Sequence, residues 1–556
     1  MKKRIIIIST IILIISGCLI GYLCIFNNKD TNEKVISGEK IVDGLYKYEL
    51  DIKENTNYNT KVIDNTIYYL IEKDGLYDFY KKDIYNNDSQ YIGTVGHNKD
   101  YCYFNKENVT CSDNETIVVY DLNLKSIYEG NHTTVIPYKD KLIKIKDNKI
   151  YDNDTEHGTL NVKLNEYNVY DYDKFDNNLY IYYSDFYTSG CMYDYNNNTC
   201  LDAKYADSKK YQNGFYFIEK DKITIKDVNT NEEKEFDNPI KDKFLILTQI
   251  KDNTLFYFKD DYLKIYNLET GSVNLLDYRI TDSVSDLVIN NNLLYLISDK
   301  VVYLVNLDEI KTTTYKENEL NDLLEQRLLE HKKTLEEKYN ITIKIRKDAN
   351  LNLKLWDQKI TGETEYDRIN DSLDSIEEVA STFGEEFFKE FIHDEYTGIV
   401  IYIASNIDAK MSMAGEAFRY YDTYTIISNT YSIKSTLYHE LMHTMEDAVI
   451  AKRNDIFENW NKYNPKDFKY KIDYNEQADT YKYTPDYKDT DIYFVDNYAE
   501  TNELEDRARI FENICMKTDD VILNNKYLLE KAKYIKEEIL KYYPMLNNSN
   551  IFNNIK

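Results

Sequence analysis

Between about residues 40 and 312 the apolar positions fall in short runs rather than at helical spacing. TIYYLIE from Thr66, YCYF from Tyr101, KLIKIKD from Lys141, NLYIYYS from Asn178, GFYFIEK from Gly214, TLFYFKD from Thr254 and LLYLISD from Leu293 are separated by turns rich in Asn, Asp and Lys. Such runs mark short antiparallel strands. Their starts recur roughly every 35–40 residues, the size of one propeller blade. Several are followed by a second strand, as in DDYLKIYNLETGS and DKVVYLVNLDEI. The pattern predicts an all-β propeller of six or seven blades over 40–312. An irregular pair of β-sandwiches is the alternative; a solenoid would need a shorter and stricter repeat.

The pattern changes over 318–556. KENELNDLLEQRLLEHKKTLEEKYN has helical, charge-rich periodicity, and Ile341 to Ile345 alternates like a strand. A helix is expected at about 366–391, carrying Leu373, Ile376 and Phe383, then strands at 397–405 and 423–428. Two more helices are expected, one containing STLYHELMHTMEDAVI and a last one over about 523–542. This is an α+β arrangement, so the chain reads as multidomain.

Chemistry enters with His439-Glu440-Leu441-Met442-His443. On a helix, residues four apart share a face, so both imidazoles can reach one zinc ion with Glu440 beside them as a general base for water. An HExxH string can also arise by chance as a solvated stripe. Here its flanks are apolar (Leu437, Leu441, Met442 and Met445), as in a packed helix with one polar strip. The pair Glu446 and Asp447 follows, and is expected to orient a ligating histidine through a hydrogen bond. The other histidines, His97, His132, His157, His331 and His393, are scattered and read as ordinary loop or isolated residues.

A catalytic zinc needs three protein ligands. No third histidine follows at close spacing, so a downstream acid is expected. The segment DNYAETNELEDRARIFENICM reads as a helix from Thr501 or Asn502, with Leu504, Ala508 and Phe511 on one stripe. Glu505 projects from its first turns as the ligand; Glu503 and Glu512 are rivals, and a capping box between Asn502 and Glu505 is the plain structural alternative.

The string NYAETNELEDRARIF, taken with HELMH, resembles the third-ligand segment of the lethal-factor-like gluzincins, a group of zinc metallopeptidases named for the anthrax toxin protease. The resemblance covers 320–556 at most. It implies a zincin-like metallopeptidase domain and peptide-bond hydrolysis with a Zn2+ cofactor. His439, His443 and Glu505 take the ligand positions, Glu440 the base, and Tyr498 the place of the catalytic tyrosine, with Thr501-Asn502 matching a Thr-Asn. Glu446-Asp447 matches an acidic pair after the second histidine. The chemistry suits a phenol near the metal, which can donate to a developing oxyanion; Tyr493 is the rival to Tyr498. One departure stands out: where the family has an acid four residues after the ligand, this chain has Arg509. The gap between the two motifs is also longer, implying an inserted loop around 455–495.

The N-terminus adds a tether. Met1-Lys2-Lys3-Arg4 precedes a run without charge from Ile5 to Phe26, long enough to span a bilayer as a signal anchor within 1–29. Ile15-Ser16-Gly17-Cys18 resembles a lipobox, so a lipid on Cys18 is the competing expectation. Either tethers an exported protein to the membrane. The cysteines agree with export: Cys102 and Cys111, and Cys191 and Cys200, each flank a turn-rich stretch at one spacing, which suits disulfides across hairpins. Cys515 reads as a buried small hydrophobe.

A net charge of −28 argues against nucleic-acid partners. The 56 tyrosines fit half-buried strand positions. The sequence therefore predicts an exported, membrane-tethered zinc endopeptidase acting on protein or peptide. Its propeller would recruit substrate or restrict access. The alternative is a tethered binding protein with a degenerate peptidase domain.

Overall fold

The computed structural model describes residues 36–555 except 53–57, 97–100, 114–115, 132–133, 147–148, 161–168, 176–177, 185–189, 202–208, 213, 242–246, 354–357, 409–413, 471–483, 486–490 and 519. The segment expected to be a signal anchor, including Cys18, lies outside the described residues, as do His97 and His132. Among the described residues no helix is long and apolar enough to cross a membrane. The chain divides into two units, Met1–Lys316 and Glu317–Lys556.

The first unit is all β, in seven small antiparallel sheets among the described residues. A representative sheet is a meander of Tyr58–Ile63, Thr66–Lys73, Leu76–Asp83 and Ser89–Val95. The predicted strand starts at Thr66, Lys141, Asn178, Gly214, Thr254 and Leu293 each open a strand that is not the first of its sheet. The run at Tyr101 is out of step: Tyr101–Asn105 is the first strand of its sheet, and Asn108–Ser112 holds the equivalent second place. Both strands are short and apolar, so composition alone does not fix their phase.

Alternation along these strands buries one face against the next sheet. Tyr48, Tyr69, Tyr216 and Tyr295 are among the largest fully buried side chains, so part of the tyrosine content is core rather than half-buried surface. Tight turns between strands place Asn and Asp at positive φ, as at Asp64-Asn65 and Asp252-Asn253, where short polar side chains tolerate the left-handed region. The last sheet is completed from the opposite end of the unit: Leu45–Glu49 pairs antiparallel with Val301–Asn306, Leu45 opposite Val305. Cys102 and Cys111 face each other across the hairpin and are joined by a disulfide. Cys200 is also disulfide-bonded; the side chain of Cys191 lies outside the described residues. His157 sits in the strand Thr155–Thr159, not a loop, with Nε2 2.8 Å from the Tyr195 carbonyl.

The second unit packs helices against a mixed sheet. Its helices are α1 (Glu317–Tyr339), α2 (Tyr366–Phe383), α3 (Glu385–Lys389), α4 (Ile433–Ala451), α5 (Glu503–Met516), α6 (Asp520–Leu523) and α7 (Lys526–Tyr542). The helix expected over 366–391 is broken at Gly384, whose φ of +84° suits glycine and ends α2. The sheet runs Leu351–Leu353, Gln358–Gly362, Ile399–Asp408, Thr423–Asn429, Gly415–Tyr420, with Thr342–Lys344 also paired to Ile399–Asp408. Thr423–Asn429 is parallel to Ile399–Asp408 on one side and antiparallel to Gly415–Tyr420 on the other. Gly415–Tyr420 thus stands at the edge among the described strands. One continuous core joins α2, α4, α5 and α7 through Leu373, Ile376, Leu437, Leu441, Met445, Phe511 and Ile535.

Candidate metal centre

Helix α4 is buried nearly all round, which the apolar flanks of the HExxH string required. Leu437, Leu441, Met442 and Met445 enter the core, while His439 and Glu440 are buried on the remaining strip. Helix α5 starts at the N-cap Asn502, whose Oδ1 accepts from the Glu505 backbone N–H at 2.9 Å. That cap sets the first turn, and the Glu505 side chain leaves it toward α4. The capping and ligand readings of this segment therefore coexist.

The structure brings His439, His443 and Glu505 together. His439 Nε2 lies 2.9 Å from Glu505 Oε2 and 3.2 Å from His443 Nε2, and His443 Nε2 lies 3.5 Å from Glu505 Oε2. Two imidazole nitrogens and a carboxylate oxygen at these separations can share one cation. Bonds of about 2.0–2.1 Å in a tetrahedron would space such atoms by roughly 3.3 Å, so the residues fit a zinc ion.

The electrostatics favour a cation at this point. Burial by itself lowers the His439 pKa, but hydrogen bonds to Glu505 and Glu512 outweigh it and raise the group from 6.5 to about 10. Burial by itself raises Glu505; its contacts with the two histidines overcome that and hold the carboxylate well below its ordinary range. Glu440 is buried beside them, and desolvation raises its affinity for a proton, the direction that suits a general base.

These groups line one cavity of 1190 Å³, together with Tyr498 and the edge strand from Gly415 to Arg419. Gly415 is needed there: a Cβ on it would lie 2.3 Å from Thr436 Cγ2 and 2.7 Å from the Ile427 carbonyl oxygen, with Glu440 Oε1 at 3.3 Å. Tyr498 begins the 3-10 turn Tyr498–Glu500, is 44% exposed, and its ring centre is 6.1 Å from that of His439. Its rival Tyr493 stacks on Tyr527. The other rival acids are also engaged elsewhere: Glu503 accepts from Asn461 at 2.5 Å, and Glu512 faces the far side of His439, Oε2 to Nδ1 at 3.2 Å.

The acidic pair after the second histidine behaves differently from the expectation. Glu446 accepts two hydrogen bonds from Arg507, at 2.9 and 2.7 Å, and Asp447 pairs with Arg419 at 2.8 Å. Each faces an arginine because α5 and the edge strand pack on that side of α4. His443 Nδ1 is buried with no hydrogen-bond partner among the described residues. Sequence reasoning missed Arg507, and it weighed Glu512 only as a ligand. The helical offset of seven between Glu505 and Glu512 was the available signal, since it puts both on one face. His393 meets the Tyr424 hydroxyl at 2.9 Å and His331 lies 3.6 Å from Glu377.

The residue after Glu505 is also fixed. Asp506 Oδ2 accepts from Lys531 Nζ at 2.6 Å, from Tyr470 at 2.7 Å and from Trp460 Nε1 at 3.1 Å, all in the interior. Trp460 and Tyr470 belong to the described part of the inserted loop, much of which lies outside the described residues.

No protein-family profile and no curated protein matches this chain. Among solved structures, a computationally designed protein, Ika8, is 12% identical with a TM-score of 0.31, covering 47% of this chain and 98% of its own. The extracellular domain of a protein assigned to a hybrid two-component system of B. thetaiotaomicron is 8% identical with a TM-score of 0.34. That match covers 49% of this chain and 43% of the other. At these scores neither likeness bears on the chemistry of this chain.

Proposed function

We propose that this protein is a zinc-dependent endopeptidase. The observation that carries the reading is the convergence of His439 Nε2, His443 Nε2 and Glu505 Oε2 beside a buried Glu440 in a cavity large enough for a peptide segment. Zinc, when bound there, supplies Lewis acidity toward water and the scissile carbonyl. His439, His443 and Glu505 hold it. Glu440 takes a proton from the attacking water and returns it to the leaving amine. Tyr498 donates its phenolic hydrogen to the oxygen on which charge develops. The edge strand Gly415–Tyr420 offers backbone groups to an extended substrate. Thr423–Asn429 is an interior strand, so this role falls to Gly415–Tyr420 alone.

The seven successive sheets of the first unit, with the last completed by Leu45–Glu49, support a seven-bladed propeller that recruits substrate or limits access. The disulfide Cys102–Cys111 supports export. A tether at 1–29, by signal anchor or by a lipid on Cys18, completes the proposal. The first experiment is zinc content per chain, followed by a peptide-library cleavage assay. One tightly held zinc with cleavage supports the enzyme; zinc without cleavage favours a binding protein; no zinc removes the metal-centre reading.

A further inference from the structure

We propose that Glu512 is the positioning residue for His439, presenting its Nε2 to the metal from behind the ring. The inference rests on the zinc reading above. A neutral imidazole carries one N–H, and a histidine that gives Nε2 to a metal must carry it on Nδ1. An ionised carboxylate only accepts, so an acceptor at Nδ1 fixes both the tautomer and the ring orientation. Glu512 Oε2 is 3.2 Å from His439 Nδ1, while Glu505 Oε2 is 2.9 Å from Nε2 of the same ring. The two glutamates leave one face of α5 two turns apart, about 10 Å along the axis, and meet the two ends of one imidazole.

Glu512 is itself held. Its side chain is 12% exposed and pairs with Arg509, one turn before it on α5. Arg509 also grips Asp496, through Nε at 2.8 Å and Nη2 at 2.6 Å. Asp496 Oδ1 in turn accepts from the Ala499 N–H at 3.0 Å, within the turn that carries Tyr498. A single guanidinium therefore links the support of His439 to the segment bearing the tyrosine. Arg509, which stands where the gluzincin pattern has an acid, clamps Glu512. Other acids near the histidines are committed: Glu446 to Arg507 and Asp447 to Arg419.

The test compares the full chain with Glu512→Ala and the near-isosteric Glu512→Gln, measuring zinc affinity by chelator competition and melting with and without zinc. The expected result is zinc binding weakened about 10–100-fold in Glu512→Ala, with Glu512→Gln between it and the parent. The zinc-free melting temperature should fall as well, because Glu512 holds both His439 and Arg509 there, but by less than the zinc-bound one, so the rise produced by zinc shrinks. A variant that binds zinc as tightly as the parent overturns the proposal and leaves the metal centre standing. So does a Glu512→Gln variant destabilised equally with and without zinc. A parent chain that binds no zinc overturns the metal-centre reading itself.

Discussion

Arg507 on α5 and Glu446 on α4 form a buried two-pronged ion pair, Nε to Oε1 at 2.9 Å and Nη2 to Oε2 at 2.7 Å. The guanidinium also lies over the rings of Phe457 and Trp460, 5.0 and 5.5 Å from their centres. The pair bridges the helix that carries both histidines and the helix that carries Glu505. Removing one partner leaves the other charge buried and unpaired. Arg507→Met is therefore expected to cost about 3–5 kcal/mol, and Arg507→Met with Glu446→Leu to recover much of it. Both tryptophans, Trp356 and Trp460, fall in the second unit, so urea unfolding followed by their fluorescence reads this unit.

In the proposed enzyme, Glu440 and Tyr498 separate chemistry from metal binding. Glu440→Gln should lower kcat by about 10²–10⁴. Tyr498→Phe should lower it by roughly 10²–10³ with little change in KM. Zinc stoichiometry should stay at the parent value in both, as neither belongs to the ligand set. Loss of zinc from Glu440→Gln would place that residue in the ligand set instead.

Zinc removal should expose a pH dependence. In the metal-free protein His439 is raised to about 10 by its carboxylate neighbours, so its contribution is complete below 6.5 and fades as pH rises through 10. Glu505 is depressed, so its contribution is present above its ordinary value of 4.5 and is lost as pH falls through its lower folded value. Chelated protein should thus melt at progressively lower temperature from pH 6.5 to 10. Zinc, taking the place of the proton, should flatten that slope. Equal slopes with and without metal would count against these three groups sharing one cation.

Gly415 predicts a steric effect. An alanine there meets Thr436 and the Ile427 carbonyl at distances that real Cβ atoms do not tolerate. Gly415→Ala should cost about 1–3 kcal/mol and push the edge strand away from α4. Cleavage should fall more than zinc affinity, measured side by side, because the strand and not the ligand set moves.

Local signals made much of this readable from sequence. The HExxH helix, the cap at Asn502 and the position of Glu505 follow from offsets of three and four along a helix. The strands of the first unit follow from alternation and turn residues. What the sequence hid depends on which helix faces which. Glu446 looked like a support for a histidine because it is near one in sequence, yet the packing of α5 gives it Arg507. Glu512 shares a face with Glu505, and periodicity cannot say which of two acids meets Nε2 and which meets Nδ1. The edge strand Gly415–Tyr420 has too few apolar positions to announce itself, and only its pairing with Thr423–Asn429 defines it.

The pairing of Leu45–Glu49 with Val301–Asn306 also orders events in time. A growing chain presents the first of these strands at the outset and its partner only when nearly the whole unit has followed. Until then the hairpin of Glu39–Val42 and Leu45–Glu49 waits with one edge open, and closure of so distant a contact is slow. A chain begun after residue 50 would leave the Val301–Asn306 strand with a bare apolar edge, the kind of surface on which separate molecules stick together. Where such a chain is cut at its front, the damage should therefore appear at its back, as clumping rather than as a missing piece.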